Sequence, residues 1–165
     1  MDTSIITQPY SEQEGILLFA AANRGEAAFE QELQSWDKNA AFYLQEVGLP
    51  LFLLLHRSKL LTYELDKEGP RLLDAGGGTG FFCGSIASLG KETVVLDFSF
   101  KMLRTGREHY KADLWVNASV SELPFADASF DIVLANGALH HFKAENLLER
   151  SVRELARVLK PGGAL

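Results

Sequence analysis

The sequence predicts an α/β fold, a parallel sheet with crossover helices preceded by N-terminal helices, and three observations carry that expectation. Beyond Pro70, short apolar runs alternate with helical stretches, which is how a parallel sheet and its crossovers are written in sequence. Between Gly25 and Val47 the apolar positions Phe29, Leu33, Trp36, Ala40, Leu44 and Val47 instead step by three or four residues, the spacing of one helix face. D-K-E-G-P at Asp66 to Pro70 reads as the loop between these two regimes. The chain therefore divides into a helical cap region at residues 1–69 and a sheet domain at 70–165.

The elements follow in order. A second helix is expected after Pro50, over Leu51 to Leu65, with polar breaks at His56, Arg57 and Lys59. Strands are expected at Arg71 to Ala75, Glu92 to Asp97, Leu114 to Asn117 and Phe130 to Ala135, each a short apolar run. Between them, Phe82, Ile86 and Leu89 mark the face of one helix, and Lys101 to Tyr110 forms another. Leu147, Val152, Leu155 and Leu159 stripe a long helix from Ala144 to Lys160. K-P-G-G at Lys160 to Gly163 should stop that helix, because neither proline nor glycine extends it. Ala164 and Leu165 read as the start of a fifth strand.

At 165 residues, 47% hydrophobic and 23% charged, the chain has enough apolar material for one core. A net charge of -6 argues against nucleic acid as a partner, since phosphate binding relies on clustered Lys and Arg. A single cysteine, Cys83, excludes an intrachain disulfide and a cysteine metal cluster, and fits a reducing compartment. The opening M-D-T-S-I-I-T-Q-P-Y-S-E-Q-E-G lacks the basic segment and apolar core of a signal peptide. L-P-L-F-L-L-L at Leu49 to Leu55 is seven residues long, far short of the roughly 20 that cross a bilayer. A cytoplasmic protein without a membrane span is the expectation.

The densest chemical signal is G-G-G-T-G at Gly76 to Gly80, placed after an apolar strand and before a helix. Its structural reading is a strand-to-helix turn with positive φ; its functional reading is a ligand approaching bare backbone, at the strand ends where open α/β sheets bind ligands. Asp97, which closes T-V-V-L-D 21 residues past Gly76, favours the second reading. A nucleoside site wants an acid about 20 residues on to accept both ribose hydroxyls, and a carboxylate ending a Val-Val-Leu run is unfavourable unless hydrogen-bonded. The dinucleotide fingerprint fails because Phe81 stands where glycine or alanine is needed. The phosphate loop fails for want of Gly-Lys-Ser/Thr.

What remains is G-x-G-x-G at Gly76, Gly78 and Gly80, preceded by Asp74, and this resembles the first motif of the class I S-adenosylmethionine-dependent methyltransferases. L-D-F-S-F-K-M-L at Leu96 to Leu103, the segment from Asn117 to Phe142, and L-A-R-V-L-K-P-G-G-A-L at Leu155 to Leu165 are similar to the motifs that follow, in the family's order. The resemblance is to the small-molecule type, which includes the ubiquinone and menaquinone methyltransferases. It implies a Rossmann-like sheet of seven strands, with S-adenosylmethionine as cofactor and S-adenosylhomocysteine as product. It further implies that Asp74 and the glycine loop line the methionine end, that Asp97 takes the ribose hydroxyls, and that Phe98 and Met102 lie near the adenine or serve only the core. Asn117 stands where the family has aspartate as acceptor for the adenine amino group, with Ala118 and Ser119 offering backbone contacts. An amide oxygen is the weaker acceptor.

On the acceptor side the resemblance places N-G-A-L-H-H-F, with Asn136, His140 and His141, beside the transferring methyl. Either histidine can serve as a base for an acceptor that must lose a proton near neutrality; otherwise both pack on neighbours. With no third ligand evident, no metal site is expected. N-G-A-L lacks the double proline of the nucleic-acid amino methyltransferases, and one cysteine does not suit thiol-dependent arsenic methylation. A small-molecule acceptor fits best, under a helical lid for which Trp36, Phe42, Tyr43 and Phe52 are candidates, each with a plain core role as the alternative. The family sheet has seven strands and the sequence supplies four and the start of a fifth. Asp131 to Ala135 is therefore expected as an apolar edge, covered by the N-terminal helices, by further residues, or by a second chain in a homo- or hetero-oligomer. Two functions stay open: a methyltransferase, and a non-catalytic S-adenosylmethionine-binding or assembly module.

Overall fold

The computed structural model describes residues 3–20, 27–46, 71–86, 90–141 and 145–165. In chain order the elements are β1 (Ser11–Gln13), β2 (Ile16–Leu18), α1 (Ala27–Glu46), β3 (Arg71–Ala75), α2 (Phe81–Ile86), β4 (Glu92–Asp97), α3 (Phe100–His109), β5 (Leu114–Asn117), β6 (Phe130–Leu134), a 3-10 turn (Leu139–His141), α4 (Glu145–Val158) and β7 (Leu159–Ala164). One seven-stranded sheet runs in the order β1-β2-β5-β4-β3-β6-β7. Every neighbouring pair is parallel except β1 with β2. The four strands read from the sequence are present, β6 ending one residue before Ala135. The expected helix over 51–65, the loop at 66–70, Phe52 and Leu89 lie outside the described residues.

Period-two alternation sets which side chains meet above and below the sheet. Leu73, Ala75, Val94 and Leu96 face a core that Leu155 and Val158 of α4 complete. Leu72, Val95, Trp115 and Ile132 point the other way, onto Cys83 and Ile86 of α2 and Leu103 of α3. Asp74 and Asp97 share the phase of Leu72 and Val95, because Asp74 pairs with Val95 and Asp97 ends the same strand two residues later. Both acids therefore point to the α2–α3 side.

Two features depart from the sequence reading. The segment before α1 contributes a hairpin to the sheet: β1 and β2 turn at Glu14 and Gly15, both at positive φ, and β2 lies parallel on β5 with Leu17 opposite Val116. The second concerns the edge. β6 is not an open edge, because β7 pairs with it through Phe130–Leu159 and Ile132–Ala164. This strand begins at Leu159 rather than at Ala164, and K-P-G-G is a bulge within it. Pro161 lacks the N–H that a ladder needs and Gly162 turns to φ 78°, so the chain bows out between the two paired positions. Lys160 clamps the bulge, its Nζ donating to both carboxylate oxygens of Asp131 at 3.0 and 2.9 Å.

Candidate functional site

The site is built where β3 and β4 end side by side. Their next residues diverge into the glycine turn and into α3, leaving Asp74, Asp97 and the turn at one corner of the sheet. The turn is tied to β4, since Gly76 and Gly77 both donate their N–H to the Leu96 carbonyl, at 2.7 and 3.0 Å. Gly76, Gly78 and Gly80 have φ of 75°, 56° and 67°, the left-handed region that disfavours side chains, as the turn reading of G-x-G-x-G requires. On their Cβ sides these glycines admit protein atoms: Ala138 beside Gly76, Met102 Cε 2.9 Å from where a Gly78 Cβ would sit, and Trp115 beside Gly80.

Asp97 is 6% exposed and its carboxylate faces the turn. Its Oδ2 accepts from Gly78 N–H at 2.9 Å and its Oδ1 from Ser99 N–H at 2.8 Å. A carboxylate offers about four lone-pair sites, so even with the Phe98 N–H also acting on it, acceptor capacity is left for a hydroxyl donor. Burial raises its pKa to about 6, against the lowering effect of the Ser99 and Gly78 N–H groups, with the Asp37 charge raising it further. Asp74, 3% exposed, lies under the turn, and a Cβ on Gly77 would sit 2.7 Å from its Cγ. Burial and the nearby Asp97 charge lift its pKa to about 7, although the Cys83 thiol donates to it. Among the described residues, no lysine or arginine forms an ion pair with either acid.

The other predicted residues fall as follows. Phe98 is half-buried and tilts against Phe29 of α1, ring centroids 5.4 Å apart. Met102 is buried beside Gly78. Asn117, 3% exposed, donates its Nδ2 to the carbonyls of Asp97 at 3.0 Å and Phe98 at 2.9 Å, so its amide holds the Asp97–Phe98 peptide. The Ala118 N–H is committed to the Asp97 carbonyl at 3.1 Å and the Ser119 hydroxyl to Ser121. Asn136 is exposed on the turn after β6, from which Ala138 reaches Gly76. The 3-10 turn carrying His140 and His141 follows directly, with His140 exposed.

Asn117 explains why an amide stands at the end of β5. Asn117→Asp would turn a carboxylate onto two carbonyl oxygens and remove both donors. We expect about 3 kcal/mol of destabilisation, read as a fall of about 6–12 °C in Tm at neutral pH. The loss should shrink at acid pH, where the introduced carboxyl is protonated and donates again.

Sequence reading missed two contributors. Asp37 of α1 accepts from Ser99 Oγ at 2.5 Å, while that hydroxyl accepts from Met102 N–H at 3.1 Å as the α3 N-cap. Asp37 is half-buried beside the apolar stripe of α1, four residues after Leu33 and three before Ala40, a polar residue at helical spacing among apolar ones that the sequence reading passed over. Thr79, fully buried inside the turn, has the one buried side-chain polar atom without a partner among the described residues, its Oγ1. Of the four lid candidates, Tyr43 approaches Gly78 and stacks edge-on with Trp36 at 5.8 Å, whereas Phe42 is exposed. Among the described residues no group of three or more His, Cys, Asp or Glu is arranged for a metal, and no helix is long and apolar enough to cross a membrane.

A family profile described as a methyltransferase domain matches residues 73–165. Among similar curated proteins, a malonyl-[acyl-carrier protein] O-methyltransferase of Erwinia pyrifoliae is 41% identical over 105 residues, 64% of this chain and 39% of that protein. A demethylmenaquinone methyltransferase of Clavibacter sepedonicus is 39% identical over 102 residues, 59% of this chain and 40% of that protein. The chain thus spans well under half the length of these relatives. A solved SAM-dependent methyltransferase of Methanosarcina mazei superposes with TM-score 0.57 at 26% identity, covering 62% of this chain and 53% of that one.

Proposed function

The chain belongs to the methyltransferase-domain family, and from that premise we propose that it binds S-adenosylmethionine at the β3–β4 corner and directs methyl transfer to a small molecule. The observation that carries this reading is the Asp97 carboxylate. It is buried, turned onto the glycine turn, and left with unused acceptor capacity and no cationic partner among the described residues. The corner fits the cofactor in chemistry as well: two buried acids suit a ligand bearing positive charge, and the unpartnered Thr79 hydroxyl leaves a polar atom for it.

When bound, the cofactor supplies an electrophilic methyl on a positively charged sulfur. The chain's own part is to hold and orient. Asp97 fixes the ribose, Asn117 and Ser99 fix Asp97, and α1 lies along α3 with Asp37 and Phe29 on the Ser99–Phe98 segment. Holding donor and acceptor in line is worth about 7–11 kcal/mol of barrier in well-oriented systems. Phe98 and Met102 flank the base, Asn117 offers its amide oxygen to it, and Asn136 with His140 and His141 borders the acceptor. A carboxylate acceptor, as named for the malonyl relatives, has no proton to lose. A carbon or hydroxyl acceptor does, and one of the two histidines then takes it. The fold works in the cytoplasm on this reading, and a second chain would meet the sheet at β7 rather than at β6.

Methyl-labelled S-adenosylmethionine, offered with a malonyl thioester in one arm and a demethylated quinol in another, tests the proposal. Label should reach one of them. Transfer that survives loss of both histidines identifies a carboxylate acceptor. Cofactor binding with no transfer to any small molecule would reassign the chain as a binding module.

A further inference from the structure

The two acids under the turn carry a consequence for ligand charge. Asp74 is enclosed by the Gly76–Gly78 turn above, the Cys83 thiol of α2 beside it, and Asp97 of β4 on the same face of the sheet. From α1, Tyr43 and Asp37 face the pair, Asp37 through the Ser99 hydroxyl. Asp113, at the start of β5, faces Cys83. Among the described residues, every titratable group turned toward these carboxyls is thus an acid, a thiol or a phenol. Asp97 is relieved by the backbone N–H groups of Gly78, Ser99 and Phe98, and Asp74 by one thiol.

Ionising both carboxyls together in such surroundings is strongly unfavourable, because each desolvated charge meets its like and, among the described residues, no lysine or arginine pairs with either. Resting on the cofactor reading above, we propose that Asp74 and Asp97 together hold a proton in the free protein and release it to solvent when a cationic nucleoside enters. Donor binding is then a proton-exchange event. The carboxyl O–H bond breaks, the proton passes to buffer, and the ligand's positive charge takes its place beside the pair; no covalent bond forms between protein and ligand. Asp74 is the group that holds most of the proton, since one thiol relieves it while backbone N–H groups hold Asp97 in its ionised form. The sign follows. A cation favours the ionised form, so affinity rises with pH until the free protein has itself lost the proton, above about 7. Below about 6 the donor should bind roughly tenfold more weakly for each pH unit. An uncharged nucleoside occupies the Asp97 end without that linkage to Asp74.

Calorimetric titration of the full chain at pH 7, in phosphate and in Tris, separates proton release from binding, because the two buffers differ in ionisation enthalpy. S-adenosylmethionine should release a measurable fraction of a proton, and adenosine close to none. Asp74→Asn should abolish the buffer dependence while adenosine still binds. A pH series of donor affinity on the unaltered protein reads the same linkage without any variant. Donor binding with an enthalpy that is independent of buffer and an affinity that is flat between pH 5 and 7 overturns this inference and leaves the proposed function standing. Failure of both donor and adenosine to bind overturns the function and this inference with it.

Discussion

Asp97→Ala should weaken S-adenosylmethionine binding by roughly two to three orders of magnitude. Two hydroxyl-to-carboxylate hydrogen bonds of about 1.5–2 kcal/mol each are lost, and 1.4 kcal/mol is a factor of ten. The same change strips the acceptors from Gly78 N–H and Ser99 N–H, both in buried surroundings. The turn and the α3 N-cap therefore loosen together, which adds to the effect. Asp97→Asn is not a gentle alternative, because its NH2 would confront one of those two donors. Calorimetric affinities for both variants, read beside their melting temperatures, separate ligand contact from loosening of the site. Near-unchanged affinity in a folded Asp97→Ala protein would remove the main support for the nucleoside assignment.

That Asp97 could be picked out of the sequence has a physical reason. An acid closing an unbroken apolar run is unfavourable enough to demand a purpose, and its distance from a glycine cluster follows from the length of one helix and one strand. The four central strands were legible for a similar reason: buried on both faces, they read as apolar runs, and their registers bring Leu72 opposite Thr93 and Ile132. The β1–β2 hairpin was not legible, because strands of three residues are too short for alternation to show. Nor was the start of β7, whose ladder is interrupted by the residues that announced a stop. Asn117 looked like a weakened version of an aspartate. Its Nδ2 also donates to carbonyls 19 and 20 residues earlier in the chain, and no local pattern reports a side chain bonded to distant backbone.

Gly106 had a signal that the helix reading absorbed, and Gly106→Ala should be among the most damaging single changes in the chain. Glycine inside a helix is about 1 kcal/mol less favourable than alanine, so propensity alone predicts stabilisation by this substitution. The structure predicts the reverse. Gly106 lies within α3, and a Cβ there would overlap the Thr79 carbonyl oxygen of the glycine turn and come within 2.7 Å of the Thr79 Cα. The obstacle is backbone, so no rotamer relieves it, and α3 must back away from the turn. We expect about 2–4 kcal/mol of net destabilisation, or roughly 4–16 °C in Tm. Donor affinity should fall as well, because α3 is capped by Ser99, whose N–H holds Asp97, and carries Met102 against Gly78. Gly90→Ala serves as the control. It has positive φ but nothing within 4 Å of its Cβ, so its loss measures backbone strain alone, about 1 kcal/mol. A Gly106→Ala protein melting at or above the parent would mean that helix and turn do not meet as closely as the geometry requires, and the coupling of α3 to the ribose acid would lose its basis.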